Sequence, residues 1–238
     1  MVEFRIVTYN VRALRDDRPA VIRTLRALDA DIACVQEMPR FVRWRSRTAA
    51  LAREAGLLYV AGGGTAGGTA MLAAQRVDVT GAMAYRLSRT PRLHVRGTVV
   101  ARIHKAGAWC TVASIHLGLD GDERTRHWTE IRGLLDRYER VVTVVAGDVN
   151  ETPDQPIWKA LANDYTDAAG GDETPTFTTR NPRRRIDGVF VRGPATVTSY
   201  RVVDDDAVRA GSDHRPVVVD LEIADRSDDD RRQPRAPR

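Results

Sequence analysis

The chain has 238 residues, 42% hydrophobic and 29% charged, with a formal net charge of +5. That apolar share is enough for one sizeable core and about one large domain, and no window approaches the roughly 18 consecutive apolar residues of a membrane span. Arginine greatly outnumbers lysine, a balance that permits a phosphate-bearing partner and that a GC-rich coding bias would equally produce.

In chain order, "MVEFRIVTYN" lacks the charged and then apolar stretch of a secretory signal. Its alternation of apolar and polar residues reads as a half-buried strand. A helix follows, with Asp17 as cap, Pro19 in the first turn, and Val21, Ile22, Leu25 and Leu28 at helical spacing. "DIACVQE" is the second strand, and residues 43–55 read as a helix stopped by Gly56. After "LLYV" comes "AGGGTAGG", a loop or wide turn that passes something closely, without the spacing of a phosphate-binding glycine loop.

From Thr69 to about Ile115 nearly all of the signal is strand. Asp122 is then the expected cap of a helix whose stripe of Trp128, Ile131, Leu134, Leu135 and Tyr138 faces a core. "VVTVVAGDVN" reads as a buried strand, and after a short helix come "RIDGVFV", "TVTSYRVV" and "PVVVDLEI". Strands in such number with helices between them predict an α/β (α+β) fold of two sheets covered by helices. The domain is expected to span 1–224, and the charged stretch 225–238 to be a disordered tail. Cys34 and Cys110 sit in apolar runs and read as buried free thiols of a cytoplasmic protein.

Strand after strand ends in a side chain able to bind metal or phosphate. Asn10 ends the first, Glu37 the second and His116 a later one, while Asp148 and Asn150 close "VVTVVAGDVN". Asp187 lies inside an otherwise apolar strand, and Asp213 and His214 open the last one. A charge in such a strand is costly unless paired, and His214 is the partner type that Asp187 requires. Carboxylates with an asparagine amide, and no cysteine–histidine cluster, favour a hard cation such as Mg²⁺ or Mn²⁺. The chemistry this set suits is metal-assisted hydrolysis of a phosphoester.

In this order, "TYN", "VQE", "SIHLG", "AGDVN", "RIDGVFV" and "GSDHRPV" resemble the endonuclease/exonuclease/phosphatase superfamily over residues 6–217. The resemblance implies a four-layer αββα sandwich and a metal-dependent phosphoric ester hydrolase. It implies Glu37 as chief metal ligand, with Asn10 and Asp213 completing or water-bridging the sphere. Asp148 would orient or deprotonate the attacking water, and Asn150 would hold that water or a phosphate oxygen. His214, oriented by Asp187, would contact the scissile phosphate, and His116 would stabilise or protonate the leaving oxygen. Thr176 in "PTFTT" and Arg124 in "HLGLDGDER" match family patterns and are expected at the substrate. His94, His104 and His127 fall outside the motifs and read as surface or packing residues.

Arg183, Arg184 and Arg185 directly precede the strand carrying Asp187 and are expected to contact phosphates flanking the scissile one. The first reading is therefore a phosphodiesterase acting on nucleic acid. The alternatives are a hydrolase of a small phosphorylated molecule or lipid headgroup, and a non-catalytic binding module. Arg12 and Ala13 follow Asn10 where apurinic-site endonucleases carry an acid, which counts against a dedicated repair endonuclease. No protein partner is legible.

Overall fold

Alternating side chains decide the layering. The computed structural model describes residues 1–138 and 142–225, so the expected tail lies almost wholly outside the described residues. The chain forms β1 (Val2–Asn10), α1 (Arg18–Leu28), β2 (Ile32–Gln36), α2 (Trp44–Glu54), β3 (Leu58–Gly62), β4 (Ala70–Ala73), β5 (Asp78–Arg86), β6 (Gly97–Lys105) and β7 (Ala108–His116). There follow α3 (Gly121–Leu135), β8 (Val142–Asp148), α4 (Pro156–Asp164), β9 (Thr166–Asp167), β10 (Asp187–Arg192), β11 (Ala195–Val202), α5 (Asp206–Gly211) and β12 (Val217–Ile223).

One six-stranded sheet has the order β11-β12-β1-β2-β4-β3, the other β5-β6-β7-β8-β10-β9. Phe4, Ile6 and Cys34 from the first sheet meet Ile103, Val112 and Val144 from the second in a shared core. The other face of the first sheet, with Val7, Tyr9 and Val35, packs on Val21, Leu25 and Leu51 of α1 and α2. The other face of the second, with Ile115, Val145 and Phe190, packs on Trp128 and Ile131 of α3 and Trp158 of α4. The result is the expected four-layer αββα sandwich. Burying each large side chain of these cores contributes roughly 1.5–3 kcal/mol. Cys34 and Cys110 are free and buried, and burial pushes both thiols up to about 12. Among the described residues no helix is long and apolar enough to cross a membrane.

Two local expectations change. The cap of α3 is Asp120, whose carboxylate accepts from Glu123 N at 3.0 Å, while Asp122 lies inside the first turn. Asp120 holds the extended conformation a cap requires, and an acid one turn further in still complements the helix dipole. The short helix α5, capped by Asp205, was not legible; it packs against α1, where Asp17 N–H donates to Ala210 O at 3.1 Å.

The glycine loop after β3 does pass something closely. A side chain on Gly63 or Gly64 would sit 2.7 Å from the indole of Trp44, so Trp44 is packed beneath this loop. Gly62 has φ +100°, and a Cβ there would overlap Thr69 O and approach Val99 Cγ2 to 2.6 Å. Gly62→Ala should therefore lower stability by about 2–5 kcal/mol, from left-handed strain plus overpacking. Gly81→Ala, where a Cβ meets nothing within 4 Å, should change it little; equal urea midpoints for the two variants would refute this.

Candidate active site

Sheet register brings the polar strand ends together. In the first sheet β1 and β2 run parallel with Asn10 opposite Gln36, so Glu37 emerges beside Asn10. β12 runs antiparallel to β1, with Val217 opposite Thr8, so Asp213 and His214 arrive at the same end. In the second sheet β7 and β8 run parallel with His116 opposite Asp148, and β10 returns antiparallel with Asp187 opposite Asp148. Six strand ends from both sheets thus converge on one mouth.

Asp148 is the hub. Its Oδ2 accepts from Asn10 Nδ2 at 3.0 Å, a bond that spans the two sheets, and lies 3.4 Å from His116 Nε2 and 3.9 Å from His214 Nε2. Its Oδ1 accepts from the backbone N–H of Asn150 at 2.9 Å. The strand stops at Asp148 and Asn150 turns into the left-handed region with φ 56°, so the two are not neighbours on one extended face. The Asn150 amide donates to Leu117 O at 3.0 Å, tying the loop after β8 to the loop after β7.

His214 Nδ1 lies 2.9 Å from Asp187 Oδ2, the pairing expected from sequence. The backbone is fixed by Ser212, whose hydroxyl donates to Asn10 O at 2.7 Å and accepts from His214 N–H at 3.2 Å. The Thr176 hydroxyl accepts from the N–H groups of Ile186 and Asp187 at 3.1 and 3.2 Å, which sets the start of β10.

Charge separates the two histidines. Burial opposes a charged His214, but Asp187, by charge and hydrogen bond, and then Asp148 outweigh it and raise the pKa to about 9. His116 is 1% exposed; burial and then the cation of Arg96 push it well below its usual range. Arg96 Nη1 reaches His116 Nδ1 at 3.1 Å, and since a guanidinium only donates, Nδ1 accepts and Nε2 carries the proton toward Asp148. A neutral His116 presents its Nε2–H as a hydrogen-bond donor, which suits the stabilising half of its expected role. Burial, then Asp187, raise Asp148 to about 6 against the opposing pull of His214, Asn10 and Arg96.

Other expected residues are placed differently. Arg124 donates to Glu151 Oε1 at 2.7 Å and to the carbonyls of Gly118 and Leu119, so it braces the loops behind His116 and Asp148 rather than facing substrate. Arg185 is buried, paired with Asp167 at 2.8 Å and stacked over Trp158. Arg183 and Arg184 remain exposed. Arg184 lies 4.9 Å over the Phe177 ring, whose centroid is 4.7 Å from that of His214. Asp213 is half-buried and held by Arg12 Nε at 3.2 Å. Glu37 is half-buried with φ 55°, and its carboxylate accepts no hydrogen bond from any described residue. Sequence reasoning missed Arg96, whose only signal is a guanidinium at the mouth of the apolar run "GTVVARI".

An αββα sandwich whose strand ends gather carboxylates, amides and histidines defines a class of hydrolase, and comparison with known proteins gives the same class. An endonuclease/exonuclease/phosphatase from Bacteroides vulgatus superposes with TM-score 0.79 at 18% identity, covering 94% of this chain and all of the other. A mannosyl-6-phosphatase from Bacteroides thetaiotaomicron gives TM-score 0.78 at 18% identity, over 92% of this chain and all of the other. D. rerio TDP2 complexed with single-strand DNA product gives 0.70 at 17%, over 93% and 100%. No curated protein sequence matches. The model of the Endonuclease/Exonuclease/phosphatase family matches residues 7–214, and the chain belongs to that family. It is accordingly a phosphoric ester hydrolase of a metal-dependent family.

Proposed function

We propose that this enzyme is a phosphodiesterase that cleaves nucleic acid with Mg²⁺ or Mn²⁺, its catalytic domain being residues 1–224. The observation that carries the choice of substrate is the stack Arg184–Phe177–His214, which ties an exposed guanidinium to the catalytic histidine. Bidentate arginine forks suit phosphates next to the one being cleaved, and a nucleic-acid strand offers these in series on both sides. The buried free thiols fit a reducing compartment, on which ground a cytoplasmic location is proposed.

The residues fit a divalent cation. Among the described residues the Glu37 carboxylate has no ion-pair or hydrogen-bond partner, and Asn10 Oδ1 accepts the Arg12 N–H at 3.0 Å. Asp213, paired with Arg12 at 3.2 Å, would complete or water-bridge the sphere. Asp148, Asp187 and His214 also present ligand atoms within 4.8 Å of one another. We read those three as the acid–base group, because a histidine held protonated by its aspartate is no ligand. The ion would polarise a phosphoryl oxygen and neutralise developing charge. Asp148, held by Asn10, His116 and Asn150, takes the proton of the attacking water. His214, charged and aimed by Asp187, binds the phosphate as its negative charge grows. Arg96 holds His116 in the tautomer that donates, and adds positive charge to the floor of the site.

Hydrolysis of a panel of single-stranded DNA, RNA and small phosphate esters should stop in chelator and return with Mg²⁺ or Mn²⁺. Glu37→Gln should weaken metal activation on the order of tenfold or more. A variant with unaltered activity at limiting metal would remove Glu37 from this role. Faster turnover of a small phosphomonoester than of any oligonucleotide would favour the small-molecule alternative.

The arginine rim has its own test. Each neutralised phosphate of a single strand contributes a slope of about −0.7 to log K against log salt. Replacing Arg183 and Arg184 together by alanine should flatten that slope by about one to two units. The loss of kcat/KM on an oligonucleotide should exceed that on a small chromogenic phosphodiester. An unchanged slope and affinity would leave the basic turn without a ligand.

A further inference from the structure

Two of the most exposed large apolar side chains stand next to each other in the loop that follows Glu37: Phe41 is 78% and Val42 82% exposed. They top a loop with a fixed base. Met38 N–H donates to Gly68 O at 2.8 Å, Trp44 packs under Gly63 and Gly64, and Thr48 Oγ1 donates to Trp44 O at 2.8 Å. Arg40, 5.7 Å from the Phe41 ring centroid, donates to Val95 O at 3.3 Å, and the next residue, Arg96, contacts His116. The loop is thus fastened to the floor of the active site while its tip faces solvent.

Its charge is one-sided. From Met38 to Arg53 the chain carries Arg40, Arg43, Arg45, Arg47 and Arg53 and no acid. Arg43, Arg45 and Arg47 are exposed and form no ion pair with any described residue. Arg45 lies 4.5 Å over Trp44, which keeps its guanidinium at the base of the ridge. An exposed aromatic ring, with Arg40 over one face, on a segment carrying exposed arginines without acidic partners fits a polyanion that also presents flat rings. Single-stranded nucleic acid has both, whereas a duplex hides its base faces.

We propose that residues 39–47 form a docking ridge for single-stranded nucleic acid, with Phe41 stacking on a base flanking the scissile phosphate and Arg43, Arg45 and Arg47 holding the backbone. This deepens, and rests on, the phosphodiesterase reading. Because Phe41 touches little of the protein, F41A should fold normally, which thermal melting checks.

The test is fluorescence anisotropy of the full chain in chelator, with a labelled single-stranded oligonucleotide and an abasic oligomer of equal length. F41A should bind the oligonucleotide about tenfold more weakly and F41W should restore affinity, since base–aromatic stacking has this magnitude. The abasic oligomer, with phosphates but no bases, should bind wild type and F41A alike. Wild type that hydrolyses a chromogenic phosphodiester with Mg²⁺, paired with an F41A variant binding the oligonucleotide within twofold of it, overturns the inference and leaves the phosphodiesterase reading standing. Wild type inert toward both overturns the reading and the ridge together. Tighter, Phe41-dependent binding to anionic phospholipid vesicles than to the oligonucleotide overturns the ridge in favour of a lipid surface.

Discussion

Asp148→Asn should lower kcat by about three orders of magnitude, within the range that a positioned general base contributes. The substitution preserves volume, so the folded chain should persist. It removes the group that takes the proton, and it sets an amide against the Asn10 Nδ2 and His116 Nε2 donors that now meet Asp148 Oδ2. The pH profile carries the same information. Asp148, with its pKa raised to about 6, must be ionised to act as base, so wild-type activity should rise as pH passes upward through about 6. His214, raised to about 9, must be charged, so activity should fall as pH passes through about 9. D148N should lose the acidic limb and keep the basic one. A variant retaining a tenth of wild-type turnover, or an acidic limb unmoved by the substitution, would show that the base lies elsewhere.

The second large effect belongs to a pair. Asp187→Asn and His214→Ala should each cut kcat by about two to three orders of magnitude, the range for loss of a preorganised electrostatic contact. The double variant should be little worse than either, because residues acting as a unit are non-additive. The 2.9 Å contact places both in one interaction. D187N has a further signature. Asp187 is the largest influence raising His214 against burial, so without it burial acts with less opposition and the basic limb should move down from about 9. Losses that multiply fully in the double variant, or a limb that stays in place, would mean that the two do not work as a pair.

The strands, and most of the side chains that gather at the candidate site, were legible because both depend on local pattern. Period-two alternation marks a strand wherever it lies, and a polar residue closing an apolar run stands out against its neighbours. Arginine was the residue whose destination could not be read. Arg183, Arg184 and Arg185 are alike in sequence, yet only Arg185 is buried, because Asp167 and the Trp158 ring arrive from another part of the chain. Arg124 likewise found Glu151 across a loop, and Arg96 found His116 twenty residues on. A long flexible cation takes whichever carboxylate, carbonyl or ring the tertiary fold supplies. The turn at Asn150 was hidden for a similar reason: its side chain takes a distant partner, Leu117 O, which the fold brings from the loop after β7.

Sheet membership has a consequence for synthesis on the ribosome. The second sheet is built wholly from the middle of the sequence, β5 to β10, whereas the first joins β1–β4 to β11 and β12. Val2 pairs with Ile223, so the earliest strand made waits for almost the last one described. The middle sheet can close on the emerging chain, but β1 keeps an open edge until β12 has left the exit tunnel. His214 and Asp213 arrive just ahead of β12, and the Asn10–Asp148 bond needs both sheets in place. A tethered nascent chain therefore carries Asp148, His116 and Asp187 without His214. On the proposed reading, catalytic competence therefore waits for β12 to pair with β1, whatever else of the chain has been made.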